Sequence, residues 1–148
     1  MYELLLTSHS YLRYFVLIML LAVVVRSLMG WFGNKPYTNV DDRIGLYLLI
    51  FTHLQLIAGL ILYFVSPFVR FDSTTMKDAT TRYWTVEHVF VMVIVVALIT
   101  VARSTSKRMT ESLSKHKRLA ILNTIALLLI IAVLAMSDRG VLGTTTAG

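Results

Sequence analysis

Read for stretches free of Asp, Glu, Lys and Arg, the chain divides into four long apolar runs separated by short charged segments. A helix needs about 20 residues to cross a hydrocarbon core of about 30 Å. Two runs meet that length without interruption. Ile44 to Val69 and Leu119 to Ser137 carry no charge, and Asp41, Asp42 and Arg43 precede one while Lys117 and Arg118 precede the other. The other two are interrupted: the run from about Leu4 to Val25 contains Arg13, and that from about Tyr83 to Ala102 contains Glu87 and His88. None alternates apolar and polar residues as a barrel strand does. The pattern predicts an all-α, integral-membrane, up-down four-helix bundle forming a single domain over 1–148, with spans at about 4–26, 44–68, 82–103 and 117–137.

Composition strengthens this reading. The 148 residues are 57% hydrophobic and 15% charged, whereas a water-soluble domain carries about 25% charge. No cysteine is present, which excludes disulfides, thiolate metal sites, iron–sulfur clusters and covalent c-type haem. The net charge of +6 reads as loops lying against an anionic leaflet, so nucleic acid is not an expected partner. Arg103, Lys107, Arg108, Lys115, Lys117 and Arg118 gather between spans three and four, and Arg26, Lys35 and Arg43 between one and two. The positive-inside rule puts those loops in the cytoplasm and both termini outside, in a bacterial inner membrane. The first span has no basic leader and no small-residue cleavage site, and is read as part of the mature chain. Gly33-Asn34-Lys35-Pro36 is a turn signal, Ser66-Pro67 ends the second span, and the tail after Gly140 reads as a frayed end. No phosphate loop, nucleophile elbow or zinc-protease helix occurs.

Candidate chemistry therefore rests on polar side chains at bilayer depth, each of which costs ~2.5–3.5 kcal/mol if charged and needs a partner, a cavity or a cofactor. They are His9, Arg13, Thr52, His53, Gln55, Glu87, His88, Asn123 and Thr124, with His116 just before span four. At 1.5 Å per residue, His9 and His88 both lie roughly 8 Å below the outer surface on diagonal helices. A diagonal of about 12–14 Å is one that two imidazoles close around a metal or a haem iron, not by direct contact. Arg13 follows His9 by one turn, and Glu87 adjoins His88. Paired, they neutralise each other and supply a cation for a propionate and a carboxylate for an imidazole N–H.

Each residue also has a plainer reading. Arg13 can snorkel to the surface from a span that starts at Tyr11. His53 lies roughly 14 Å from the cytoplasmic surface, near the midplane, where it is either a ligand or a neutral ring bonded to a backbone carbonyl or to Asn123. His116 reads as a solvated interfacial residue in the run Lys115-His116-Lys117-Arg118. Gly45, Thr52, Gly59 and Ser66 recur every seven residues as a small-residue seam for close helix contact. Met92, one turn after His88, is at ligand spacing but reads as packing. Trp31, Phe32, Tyr63, Tyr83 and Trp84 read as interfacial anchors.

The segments His9-Ser10-Tyr11-Leu12-Arg13, Phe51 to Pro67, Arg82 with Glu87-His88, and Lys115-His116-Lys117 together resemble a family of small four-span bacterial membrane proteins labelled cytochrome b. The resemblance covers nearly the whole chain, and its second segment is the most specific. It implies non-covalent haem b bound by histidines and a role in membrane electron transfer. Histidines on diagonal helices are also similar to the cytochrome b561 arrangement, which holds one haem towards each face. Here His53 and His116 do not lie level, which argues for one haem b and against a second.

The leading expectation is a haem-b electron carrier, in or beside a respiratory complex and not a stand-alone enzyme, with cofactor-binding His9, His88, His53, Arg13 and Glu87 and with His9 and His88 on the metal. Compatible partners are the lipid bilayer, a quinone near Gln55 and Tyr63, respiratory-complex subunits and further copies of the chain. The alternatives are a non-haem metal protein and a structural or assembly subunit in which His9, Arg13, Glu87 and His88 form a polar clasp.

Overall fold

A computed structural model describes residues 2–65 and 86–136. It is an all-α bundle of four helices: α1 Tyr2–Gly33, α2 Asn39–Val65, α3 His88–Lys107 and α4 Ser112–Met136. Each is long and apolar enough to cross a membrane. The positions expected for Ser66, Pro67, Arg82, Tyr83, Trp84 and the tail lie outside the described residues.

The helices overrun the charge-free spans at the basic end of the bundle. Helix α1 continues past Arg26 to Gly33, α2 starts at Asn39, and α4 starts at Ser112. Absence of charge marks what lies in hydrocarbon, but a helix continues into the headgroup layer where Lys and Arg are solvated. The turn between α1 and α2 is built from local polar bonds. Asn34 takes a positive φ of 49°, a conformation Asn tolerates better than most residues. Thr38 and Asp41 form a capping box, with Thr38 N–H donating to Asp41 Oδ2 at 2.9 Å and Asp41 N–H to Thr38 Oγ1 at 3.4 Å.

Helix α1 lies between α2 and α4, α3 packs on α4, and α2 meets α3 along a thinner seam than these. Val16, Leu20, Val23 and Val24 of α1, Leu48 of α2, Val95 and Ile99 of α3, and Ala126 and Ile130 of α4 form the central core. Outside it the usual distribution is inverted. Large apolar side chains such as Ile18, Ile57, Phe90 and Leu128 face outward, while His9, Arg13, Thr52, Arg103, His116 and Asn123 are buried. This is the arrangement a bilayer favours, since lipid accepts the apolar exterior and the bundle must satisfy the polar interior. The hydroxyls of Thr52 and Thr100 donate to carbonyls one turn back in their own helices.

Candidate functional site

The end of the bundle away from the basic loops is organised around His9. Its side chain is 6% exposed and rests on α2 at Gly59, where a Cβ would stand 3.2 Å from the imidazole Cε1. A side chain at 59 would take the space the ring occupies. One turn earlier on the same α2 face, the Gln55 amide donates to the His9 backbone carbonyl at 3.0 Å and lies 3.5 Å from the ring Nε2. With an N–H on that side, the ring carries its lone pair at Nε2 and its proton at Nδ1. His9 Nδ1, Ser10 Oγ and Gln55 Oε1 are buried and bond to nothing among the described residues. Arg13, one turn along α1, is 7% exposed; its Nη2 donates to Tyr14 Oη at 3.1 Å, and its guanidinium carbon lies 4.9 Å from the Tyr14 ring centroid. Arg13 is thus buried in the bundle, not snorkelled to the surface.

The register of α3 on α2 bears on the height of His88. Arg103 of α3 donates to the Asp42 carbonyl at 3.0 Å, and its Nη1 lies 3.1 Å from where a Cβ on Gly45 would stand. From Arg103 to His88 the helix rises about 22 Å, and from Gly45 to Gly59 about 21 Å. By helix rise alone His88 and Gly59 lie at similar distances from that contact, to within the reach of the Arg103 side chain. It is the first residue of α3 and half-buried; Glu87, also half-buried, precedes it at the cap with helical φ and ψ.

His53 stands apart. It is exposed on the outer face of α2, its Nδ1 2.8 Å from the Leu49 carbonyl. Of the two readings given by its sequence position, the structure has the carbonyl-bonded ring. Asn123 is buried on α4 with its Oδ1 unbonded among the described residues.

His116 corrects the expectation of a solvated residue. It is 2% exposed, its ring lies 5.5 Å from that of Tyr37, and its Nε2 vertex abuts Gly30 of α1. The residues beside it take the solvent instead: Lys115 Nζ lies 4.9 Å from the Tyr37 ring centroid and Lys117 Nζ 5.9 Å from that of Trp31. A helix that turns four consecutive polar residues through 300° sends one of them inward, and the neutral ring is the cheapest to bury. Burial, with the Asp42 carboxylate nearby, pushes the Tyr37 hydroxyl up to about 12.

Three glycines thus seat polar rings or guanidinium groups: Gly59 under His9, Gly45 under Arg103 and Gly30 under His116. The seven-residue recurrence of Gly45 and Gly59 signals this seam, although the partners are side chains and not a helix backbone. Sequence reasoning passed over Gln55 as the partner of His9, although Gln55 and Gly59 are one turn apart. It also passed over Arg103, which is 7% exposed with its Nη2 3.5 Å from Asp42 Oδ1, because it belongs to a basic run.

Among the described residues no three His, Cys, Asp or Glu side chains converge on one point. A metal ion held by protein donors alone needs such a group. Two imidazoles suit an iron whose other four positions are filled by a porphyrin; the buried His9 Nδ1, Ser10 Oγ and Gln55 Oε1, unbonded among the described residues, would accept a further polar group, while the space over Gly59 is taken by the His9 ring itself. No family model, curated protein or solved structure matches this chain.

Proposed function

We propose that this chain is a haem-b-binding membrane cytochrome that carries electrons in or beside a respiratory complex of the bacterial inner membrane, with His9 and His88 as the iron ligands. The observation that supports it most is a buried imidazole, His9, packed on Gly59 at the end of the bundle where α3 begins with His88. Bound haem supplies one-electron redox chemistry. The chain's own residues hold and tune it. Gln55 holds the His9 backbone carbonyl, and its amide, 3.5 Å from Nε2, would have to turn from that nitrogen for the Nε2 lone pair to take the iron. Arg13 provides a buried cation for a propionate, and Glu87 a carboxylate to receive an imidazole N–H and fix its tautomer. The basic loops face the cytoplasm in this reading, so the site belongs to the outer leaflet.

The test is a reduced-minus-oxidised spectrum of the full chain purified from membranes, with haem-to-protein stoichiometry. One haem b per chain is expected, with His9→Ala and His88→Ala each abolishing the low-spin bands. A wild-type chain without a Soret band, or both variants with normal haem content, overturns the reading.

A further inference from the structure

The chain's whole net charge sits at one end of the bundle. The segments from Arg26 to Arg43 and from Arg103 to Arg118 carry nine Lys and Arg against three Asp and Glu, a surplus of +6 that equals the net charge of the entire chain. Two of those three carboxylates are taken, Asp41 by Arg26 and Asp42 by Arg103. Among the described residues no carboxylate pairs with Lys35, Lys115 or Lys117. Cations gathered without counter-charge repel one another and attract an anion.

Two of these lysines come together on an aromatic platform. Trp31 and Phe32, in the last turn of α1, stack with ring centroids 4.8 Å apart, and Phe32 is 75% exposed. The side chain of Lys35 folds back along Gly33 of the same turn, and Lys117 reaches across from α4, its Nζ 5.9 Å from the Trp31 ring centroid. Both lysines are exposed. Trp31 lies about 7 Å beyond Arg26 along the helix, inside the headgroup layer that adds roughly 5–8 Å to each side of the hydrocarbon. Below Lys117, Ile121, Ile125 and Leu128 follow along α4 at intervals of four, four and three residues, and are 42%, 43% and 60% exposed. A ligand that answers all of these groups has an anionic head at headgroup depth and an apolar tail reaching into the hydrocarbon. We propose that the last turn of α1 and the first turns of α4 seat one anionic phospholipid, its phosphate shared by Lys35 and Lys117, its glycerol against Trp31 and Phe32, and an acyl chain along Ile121, Ile125 and Leu128. An acidic soluble protein answers the lysines but leaves the stripe beneath them unused. The seat is at the opposite end of the bundle from His9, needs no haem and stands independently of the cytochrome reading.

The test counts bound lipids by native mass spectrometry of the full chain released from detergent micelles, titrated with phosphatidylglycerol or with phosphatidylcholine. The first phosphatidylglycerol should bind about tenfold or more tighter than phosphatidylcholine, since each basic residue near an anionic lipid contributes about fivefold. Lys35→Gln and Lys117→Gln should each remove about fivefold of that preference, and the two together should abolish it. Lys107→Gln combined with Arg108→Gln takes the same charge from the end of α3 and should leave the preference intact. Glycerophosphoglycerol, the same head without acyl chains, should not compete at the concentrations where the lipid saturates. Equal binding of the two lipids overturns the proposal and assigns the lysines to an acidic soluble partner. An equal loss in the two double variants overturns it in favour of the general field of the basic end, and full competition by the chainless head overturns the acyl contact.

Discussion

Substituting Gly30 by alanine tests whether the interior of this bundle is shaped by its glycines. A Cβ at residue 30 would stand 2.5 Å from both Cδ2 and Cε1 of His116, a separation that carbon atoms do not tolerate. The ring is 2% exposed and lies against Tyr37, so it cannot swing clear without displacing a neighbour. Overfilling a packed site costs ~1–3 kcal/mol, and alanine returns up to ~1 kcal/mol of helix propensity. Gly30→Ala should therefore destabilise the protein by about 1 kcal/mol. In a His116→Ala background the obstacle is gone and only the propensity gain of ~0.5–1 kcal/mol is left, so the substitution changes sign. The four chains of this double-mutant cycle are compared by circular dichroism during SDS titration in mixed micelles. Gly33→Ala is the control, since its Cβ would meet only the flexible chain of Lys35 at 3.4 Å. The same cost for Gly30→Ala with and without His116, or a gain in the wild-type background, would refute the reasoning.

Two further predictions concern the same end of the bundle. Arg103→Ala should cost at least ~1 kcal/mol more than Asp42→Asn, because Asp42 is 40% exposed in its ion pair with Arg103, whereas Arg103 is buried and also bonds the Asp42 carbonyl; equal losses in the same titration would contradict this. Tyr37, ordinarily at 10.0, is raised to about 12 in the folded chain, so the folded state holds its proton more tightly than the unfolded one. Its stabilising contribution is complete below pH 10 and is lost as pH rises through 12. Tyr37→Phe should accordingly show a shallower fall in stability between these values, and parallel profiles for the two proteins would remove Tyr37 as the cause.

The four helices are legible because their cause is local and repeated: every run longer than about 20 uncharged residues must hide its backbone polar groups from lipid by bonding within itself. Helix ends are less legible, since Arg26 and Lys117 mark where hydrocarbon stops and α1 and α4 pass beyond them. Matching heights for His9 and His88 are an expectation from rise per residue, and the structure adds that His9 is buried against Gly59. Which way a side chain turns cannot be read that way. His53 and His116 differ in sequence mainly by their flanks, apolar for one and basic for the other, which suggests the reverse of their actual burial. The facing helix decides: a glycine at residue 30 offers His116 a vacancy, and no glycine among the described residues does so for His53. Seats of this kind join residues distant in the chain, Gly30 with His116 and Gly45 with Arg103, so they emerge only once the helices are paired.

The turn between α1 and α2 also bears on the order of assembly during synthesis. Its ties are short in sequence: Lys35 N–H to the Gly30 carbonyl at 3.0 Å, the Thr38 hydroxyl to Asp41 Oδ2 at 3.0 Å, and Arg26 Nε to Asp41 Oδ1 at 2.6 Å. The α1–α2 hairpin is thus closed by its own residues and needs nothing from α3 or α4, which are made after it. One donor in it has to wait, because the Tyr37 amide finds its acceptor only in Ser112 Oγ, at 2.9 Å and 75 residues downstream. Helix α4, made after the hairpin, therefore brings both the acceptor for that amide and the ring that fills the Gly30 vacancy, and its arrival latches α1 to α2.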